Sequence, residues 1–170
     1  MFEKFGEFDS AEELNAKAKE LKDAGKEAEL TELALENGLD KEDAEDYWDD
    51  CADTLATETQ AAFGKLRMES KTLELSGVLG DWCAELVNMC YEHMDFAQAV
   101  RKKGKDLAGY IALLADTGYK NRCVVKQEIV NKTVEVKKVI GNHEFSIGIP
   151  DKRTRLDLAR QYYLGEGAAE

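Results

Sequence analysis

Apolar positions along this chain recur at intervals of three and four residues, the period of helices that bury one stripe. Asp9 and Ser10 offer N-caps with Glu12 and Glu13 behind them, which predicts a helix from about Ala11 to Ala24 that stops at Gly25. Ahead of it Phe2, Phe5 and Phe8 form a short lead-in that anchors the N-terminus on the core. A second helix should run from about Glu27 to Glu36 with Leu30, Leu33 and Ala34 inward, and Gly38 is its expected left-handed terminator. Asp40 then caps a third, in which Ala44, Tyr47, Trp48 and Cys51 fall on one stripe. Further helices are predicted from Thr57 to about Ser70, from Gly77 to His93 around Leu79, Trp82, Leu86, Met89 and Cys90, and over FAQAVRKK behind Asp95. DLAGYIALLAD follows, ended by Gly118. A last helix capped by Asp151 turns Leu156, Ala159, Tyr162 and Tyr163 inward, before a GEGAAE tail expected to fray.

Between Arg122 and Ile149 the pattern is mixed. Cys123, Val124, Val125, Ile129 and Val130 fit a helix, whereas Val134, Val136, Val139 and Ile140 are β-branched and Gly141-Asn142 precedes HEFSIGI, which suits a hairpin. The expected fold is therefore mostly α-helical, with a small β element near residues 134–149. Residues 1–53 read as an acidic helical N-terminal subdomain and residues 54–170 as the helical main domain.

Charge divides the chain more sharply than hydrophobicity does. Residues 1–50 hold 18 Asp/Glu against 6 Lys, a net of −12, while residues 101–160 hold 14 Lys/Arg against 7 Asp/Glu, a net of +7. A bipolar field of this kind selects partners by sign. The longest apolar run, IALLA, falls far short of the roughly 20 residues that span a bilayer, and MFEKFGEFDS lacks the order of a signal peptide, so no membrane association and a cytoplasmic location are expected. Cys51, Cys83, Cys90 and Cys123 are too widely spaced for a secreted disulfide framework and read as reduced thiols.

Leu30 to Asp53 concentrates the information. Ala34, Gly38, Leu39, Ala44 and Tyr47 have the spacing that packs two helices across a tight turn, as in a helix-turn-helix. Yet a helix that reads DNA has to approach phosphate, and this one offers seven acids and one lysine between Asp40 and Asp50. A run of carboxylates is by default a solvated face. Here Glu42/Asp46, Glu45/Asp49 and Asp46/Asp50 are like-charged i, i+4 pairs, each costing ~0.2–0.5 kcal/mol, an arrangement that stability alone does not select. Glu42, Asp43, Glu45, Asp46, Asp49 and Asp50 are accordingly the candidate partner-binding face, suited to a basic nucleic-acid-binding protein.

Other constellations are weaker. Cys83, Cys90 and His93 lie near one helix stripe but lack the paired ligands on two elements that zinc requires, so no metal and no cofactor are expected. No phosphate-binding glycine loop, nucleophile elbow or HExxH motif is present, which points away from an enzyme. Arg101, Lys102, Lys103 and Lys105 cluster around Gly104; they suit the C-terminal end of a helix, or a nucleic-acid contact that Arg153, Arg155 and Arg160 would extend.

DFAQAVRKKGKDLAGYIALLADTGYKNR and IPDKRTRLDLARQYYLGEG resemble the PcfK-like family of small proteins on conjugative plasmids, integrative elements and phages. The shared features are Phe96-Ala97, Val100, Lys105 ahead of a helix with Tyr110, and Asp151 opening a helix with Ala159 and Tyr162-Tyr163-Leu164, over roughly residues 78–164. The resemblance implies a mobile-element accessory role, and some members of that family are anti-CRISPR proteins that inhibit the type II RNA-guided effector nuclease. The matched residues have the character of core and cap positions, and the acidic third lies outside the match. The leading expectation is a non-enzymatic inhibitor that binds such a nuclease through its acidic face, as a DNA mimic. The alternatives are a nucleic-acid-binding accessory of conjugation that uses the basic 101–160 region, and an assembly protein whose acidic end docks on the basic region of another copy.

Overall fold

A computed structural model describes residues 2–165. Its helices are α1 (Ala11–Asp23), α2 (Glu27–Glu36), α3 (Lys41–Trp48), α4 (Glu58–Thr72), α5 (Val78–Glu92), α6 (Met94–Arg101), α7 (Leu107–Lys120), α8 (Gln127–Val130), α9 (Glu135–Ile140) and α10 (Lys152–Leu164). Strands β1 (Cys123–Val125) and β2 (Phe145–Ile147) pair antiparallel, Val124 opposite Ser146. The chain is thus mostly helical with a small β element. None of the helices is long and apolar enough to cross a membrane. The tail expected to fray beyond Gly165 lies outside the described residues.

Local signals set most boundaries. Ser10 Oγ accepts from Glu13 N at 3.1 Å, Thr57 Oγ1 from Gln60 N at 3.2 Å, Asp106 Oδ1 from Gly109 N at 2.6 Å and Asp151 Oδ1 from Thr154 N at 2.9 Å, so these four N-caps act through side-chain oxygens. Gly25 and Gly38 follow their helices with φ of 70° and 74°. Gly38 has a second reason to lack a side chain: a Cβ there would lie 2.2 Å from the Gly64 carbonyl oxygen, so the α2–α3 turn and α4 touch backbone to backbone.

The mixed stretch resolves differently from its pattern. Cys123–Val125, read as helical, is β1, and Glu135–Ile140, read as β, is the short helix α9. Gly141, with φ 61°, ends α9 instead of turning a hairpin; the partner of β2 lies some twenty residues back. Within α9 Lys138 pairs with Glu135 at 2.7 Å, an i, i+3 contact that a strand would not make. Gly118 does not end α7 either. A Cβ there would lie 2.4 Å from the Gly148 carbonyl oxygen, so it admits the returning chain.

Two apolar clusters form the core. Leu14, Leu21, Leu30, Leu33, Tyr47, Leu55 and Ala61 belong to the first, and Leu66, Trp82, Leu86, Phe96, Tyr110, Leu114 and Tyr163 to the second. Helix α4 supplies both, Ala61 to one and Ala62 to the other. Phe5 and Phe8 pack on the first cluster, as the lead-in predicts. The residues that carry the family resemblance are structural: Phe96, Ala97, Val100, Tyr110, Ala159 and Tyr163 are buried, and Phe96 meets Tyr163 edge-on at 5.4 Å.

Alongside the clusters lie buried polar groups. Lys65, 1% exposed, donates to the carbonyls of Lys102 and Lys105, each at 2.8 Å, and pairs with Glu7 at 2.7 Å. Glu69 Oε2 accepts from Leu107 N at 2.8 Å, while its Oε1 lies 3.9 Å from the Lys65 ammonium. Arg101 is fully buried and donates to Asn37 Oδ1 at 2.7 Å, which ties α6 to the α2–α3 turn. Burial raises the Glu69 carboxyl to about 7, against the lowering by the Leu107 amide and Lys65.

Removing one member of such a group strands the others. Lys65→Ala should cost about 3–5 kcal/mol in urea unfolding. For Glu69 the folded state holds its proton more tightly than the unfolded chain, so this group's contribution to stability falls as pH rises from 4.5 to about 7 and is level above. Glu69→Gln, which keeps an acceptor for Leu107 N, should therefore gain stability relative to the wild type across that interval, as measured by unfolding at a series of pH values.

Candidate partner-binding site

The acidic helix is short. Asp40 starts it, with Asp43 Oδ2 accepting from the Asp40 backbone N at 2.8 Å, and Asp40 itself is held by Arg67 at 2.8 Å. Ala44 and Tyr47 face inward and Trp48 is half-buried, but the helix ends at Trp48, so Cys51 leaves the predicted stripe and is exposed. Asp49 is the C-cap, and Asp50 takes a φ of 58°.

That early end changes the electrostatics. Asp46 and Asp50 are no longer successive turns of one helix, and Glu42/Asp46 is the one like-charged i, i+4 pair wholly inside α3, costing ~0.2–0.5 kcal/mol. The negative end of the helix is also countered. Lys22 reaches over from α1, donates to the Tyr47 carbonyl at 2.5 Å, pairs with Asp50 at 2.6 Å and stands 4.8 Å from the Tyr47 ring centre. The self-repulsion inferred from the sequence is smaller than expected.

The six predicted carboxylates separate into two sets. Asp43 is half-buried and also accepts from Gln60 Nε2 at 3.2 Å, Glu45 pairs with Lys41, and Asp50 belongs to Lys22. These three are engaged within the chain. Glu42, Asp46 and Asp49 are exposed and make no ion pair or side-chain hydrogen bond among the described residues. They are what the surface offers a partner.

The basic cluster does not form the patch that the sequence suggests. Arg101 is buried against Asn37, where burial lowers its pKa, and it is removed from any phosphate. Lys103 donates its backbone N–H to Asp9 at 2.9 Å and sits 3.8 Å from Glu13, while Lys105 lies 4.9 Å from the Tyr162 ring centre. Lys102 is exposed, but its carbonyl is taken by Lys65. Arg155 is likewise committed, forked onto Glu85 at 2.5 and 2.8 Å and donating to the Pro150 carbonyl at 2.6 Å. Arg153 and Arg160 stay exposed.

Cys83 and Cys90 are buried in the second cluster, whereas His93 is exposed at the α5–α6 junction. Burial raises both thiols, Cys90 to about 12, so they stay protonated at neutral pH. Among the described residues no three His, Cys, Asp or Glu side chains are grouped to hold a metal.

The buried ion group of Lys65, Glu69 and Arg101 escaped the sequence reading. A signal existed: Ala61, Ala62, Lys65, Leu66 and Glu69 share one helical face, so a charged i, i+4 pair interrupts an apolar stripe. No family model, no curated protein and no solved structure matches this chain.

Thiol burial gives a direct check on this placement. Under native conditions iodoacetamide should alkylate Cys51 and Cys123 at least tenfold faster than Cys83 and Cys90, followed by mass spectrometry; modification of all four at one rate contradicts it.

Proposed function

We propose that this chain is a non-enzymatic binding protein that inhibits a basic nucleic-acid-handling protein by presenting α3 where that protein expects phosphate. One observation carries the reading: Glu42 and Asp46 on α3 and Asp49 at its C-cap stand exposed with no ion pair among the described residues, on an element supported from below by Ala44 and Tyr47 and at its ends by Arg67 and Lys22. A solvated face that served only solubility would not need this rigidity. The turn beneath it is closed by the Gly38–Gly64 contact, so the carboxylates keep fixed positions without spending rotational freedom of the backbone on binding.

Nucleic-acid-handling proteins hold their ligand in strongly basic channels, and a compact set of carboxylates with the sign of phosphate competes for the same lysines and arginines. The resemblance of residues 78–164 makes the type II CRISPR effector nuclease the first partner to test. Supporting a protein partner over DNA itself is the fate of the basic cluster, in which Arg101 is buried, the Lys103 ammonium lies 3.8 Å from Glu13 and Lys105 lies over the Tyr162 ring.

The test is capture of the purified nuclease on the immobilised chain, followed by a DNA-cleavage assay. Binding that weakens with salt and inhibits cleavage is expected. Glu42→Gln, Asp46→Asn and Asp49→Asn together should weaken it at least about tenfold, or 1.4 kcal/mol. Absence of binding with full cleavage overturns the nuclease as partner, and an unchanged affinity of the neutralised variant overturns the acidic face.

A further inference from the structure

Two surfaces at opposite ends of the charge distribution are each incomplete. The first is the arm between α7 and α10. From Asn121 to Ile149 only Val130 is buried, while Val124, Ile129, Val134, Val139 and Ile147 are exposed, Val139 to 83%. Lys126, Lys132 and Lys137 stand among them, exposed and with no ion pair among the described residues. A two-stranded sheet with both edges open is marginal alone, and this one has a single buried aliphatic side chain beneath its arm.

The second is a cleft of about 530 Å³ between α1 and the link from α3 to α4. Ala11, Ala16, Tyr47 and Ala56 give it apolar walls, and Glu12, Asp53 and Glu58 bring carboxylates to it. Glu58 Oε2 is buried and has no hydrogen-bond partner. Lys19, the one cation at the cleft, is engaged by Asp23 at 2.7 Å.

We propose that the arm of one copy docks in this cleft on a second copy, with an aliphatic side chain against its walls and a lysine on its carboxylates. Charge sign selects the pairing, since residues 1–50 carry −12 and the arm from Asn121 to Ile149, with five Lys/Arg against three Asp/Glu, carries +2. An ammonium has three donors, and the exposed carboxylates of Glu12 and Asp53 at the cleft are the acceptors it can reach. The apolar walls match the exposed valines and isoleucines of the arm, for which solvent is a poor environment. Because the two surfaces are different patches of one chain, the contact is head-to-tail: each added copy leaves one free arm and one free cleft. Glu42, Asp46 and Asp49 do not line the cleft, so self-association and partner binding use separate residues.

Sedimentation velocity over a concentration series tests this. At low salt the mass should grow with concentration beyond that of a dimer, and at ~1 M salt, where the Debye length is ~3 Å, it should return toward one chain. Lys126→Gln, Lys132→Gln and Lys137→Gln together remove the arm's free cations, and Glu12→Lys with Asp53→Lys reverses the cleft; all five residues are exposed, so the fold should survive, as circular dichroism will verify. Each variant alone should stay monomeric, but mixing the two should give a complex of two chains and no larger, because one intact arm then meets one intact cleft while the neutralised arm has no attraction for the reversed cleft. A single-chain mass at every concentration and salt, undiminished association of either variant, or no complex in the mixture would each overturn the proposal. None of these outcomes bears on nuclease binding, which is read through other residues.

Discussion

A single ammonium group organises the interior. Lys65 draws together two carbonyls of the α6–α7 connection, Glu7 of the lead-in and Glu69 of its own helix. Desolvating a lysine is expensive unless every donor finds an acceptor, and here the acceptors come from three separate parts of the chain. The arrangement therefore specifies more than it stabilises: any alternative packing of the lead-in or of α7 on α4 leaves a charge uncompensated. Arg101 adds a second polar link by donating to Asn37 Oδ1, although its buried Nε and Nη1 have no hydrogen-bond partner among the described residues, so the acidic third and the helical body are joined through polar groups as well as through α4.

This joint fixes what the acidic third presents. The α2–α3 turn is held by Arg101 through Asn37 and pressed against α4 by the pair Gly38 and Gly64. The turn thus packs closely on the body, and Arg67 and Lys22 pair with carboxylates at the two ends of α3. What looks in the sequence like one continuous acidic helix is three carboxylates engaged within the chain and three free ones. Ala34, Leu39, Ala44 and Tyr47 are buried between α2 and α3, while the outward chemistry carries the sign of nucleic acid.

The sequence was most legible where local chemistry decides the outcome. Ser10, Asp106 and Asp151 cap helices because a short side-chain oxygen can reach an amide three residues on, a relation visible in any window of four residues. Gly25 and Gly38 were equally plain. Legibility failed where distant segments decide. Cys123–Val125 became a strand because Phe145–Ile147 pairs with it, and Gly118 was mistaken for a terminator because the chain that crosses it returns thirty residues later. Arg101 illustrates the same limit at the candidate site: a cation beside two lysines and a glycine reads as surface, and only the approach of Asn37 from 64 residues away buries it. The acidic face was legible in sign and position, but its division into engaged and free carboxylates depends also on Lys22 and Gln60, which no local pattern links to it.

Unfolding of the triple variant Glu42→Gln, Asp46→Asn and Asp49→Asn tests most directly whether α3 bears charge that the fold does not use. Urea titration should give a stability equal to the wild type or higher by up to ~0.5 kcal/mol, as the Glu42/Asp46 repulsion is relieved. A loss of more than ~1 kcal/mol would mean that these carboxylates hold the structure, and would contradict their assignment to a partner.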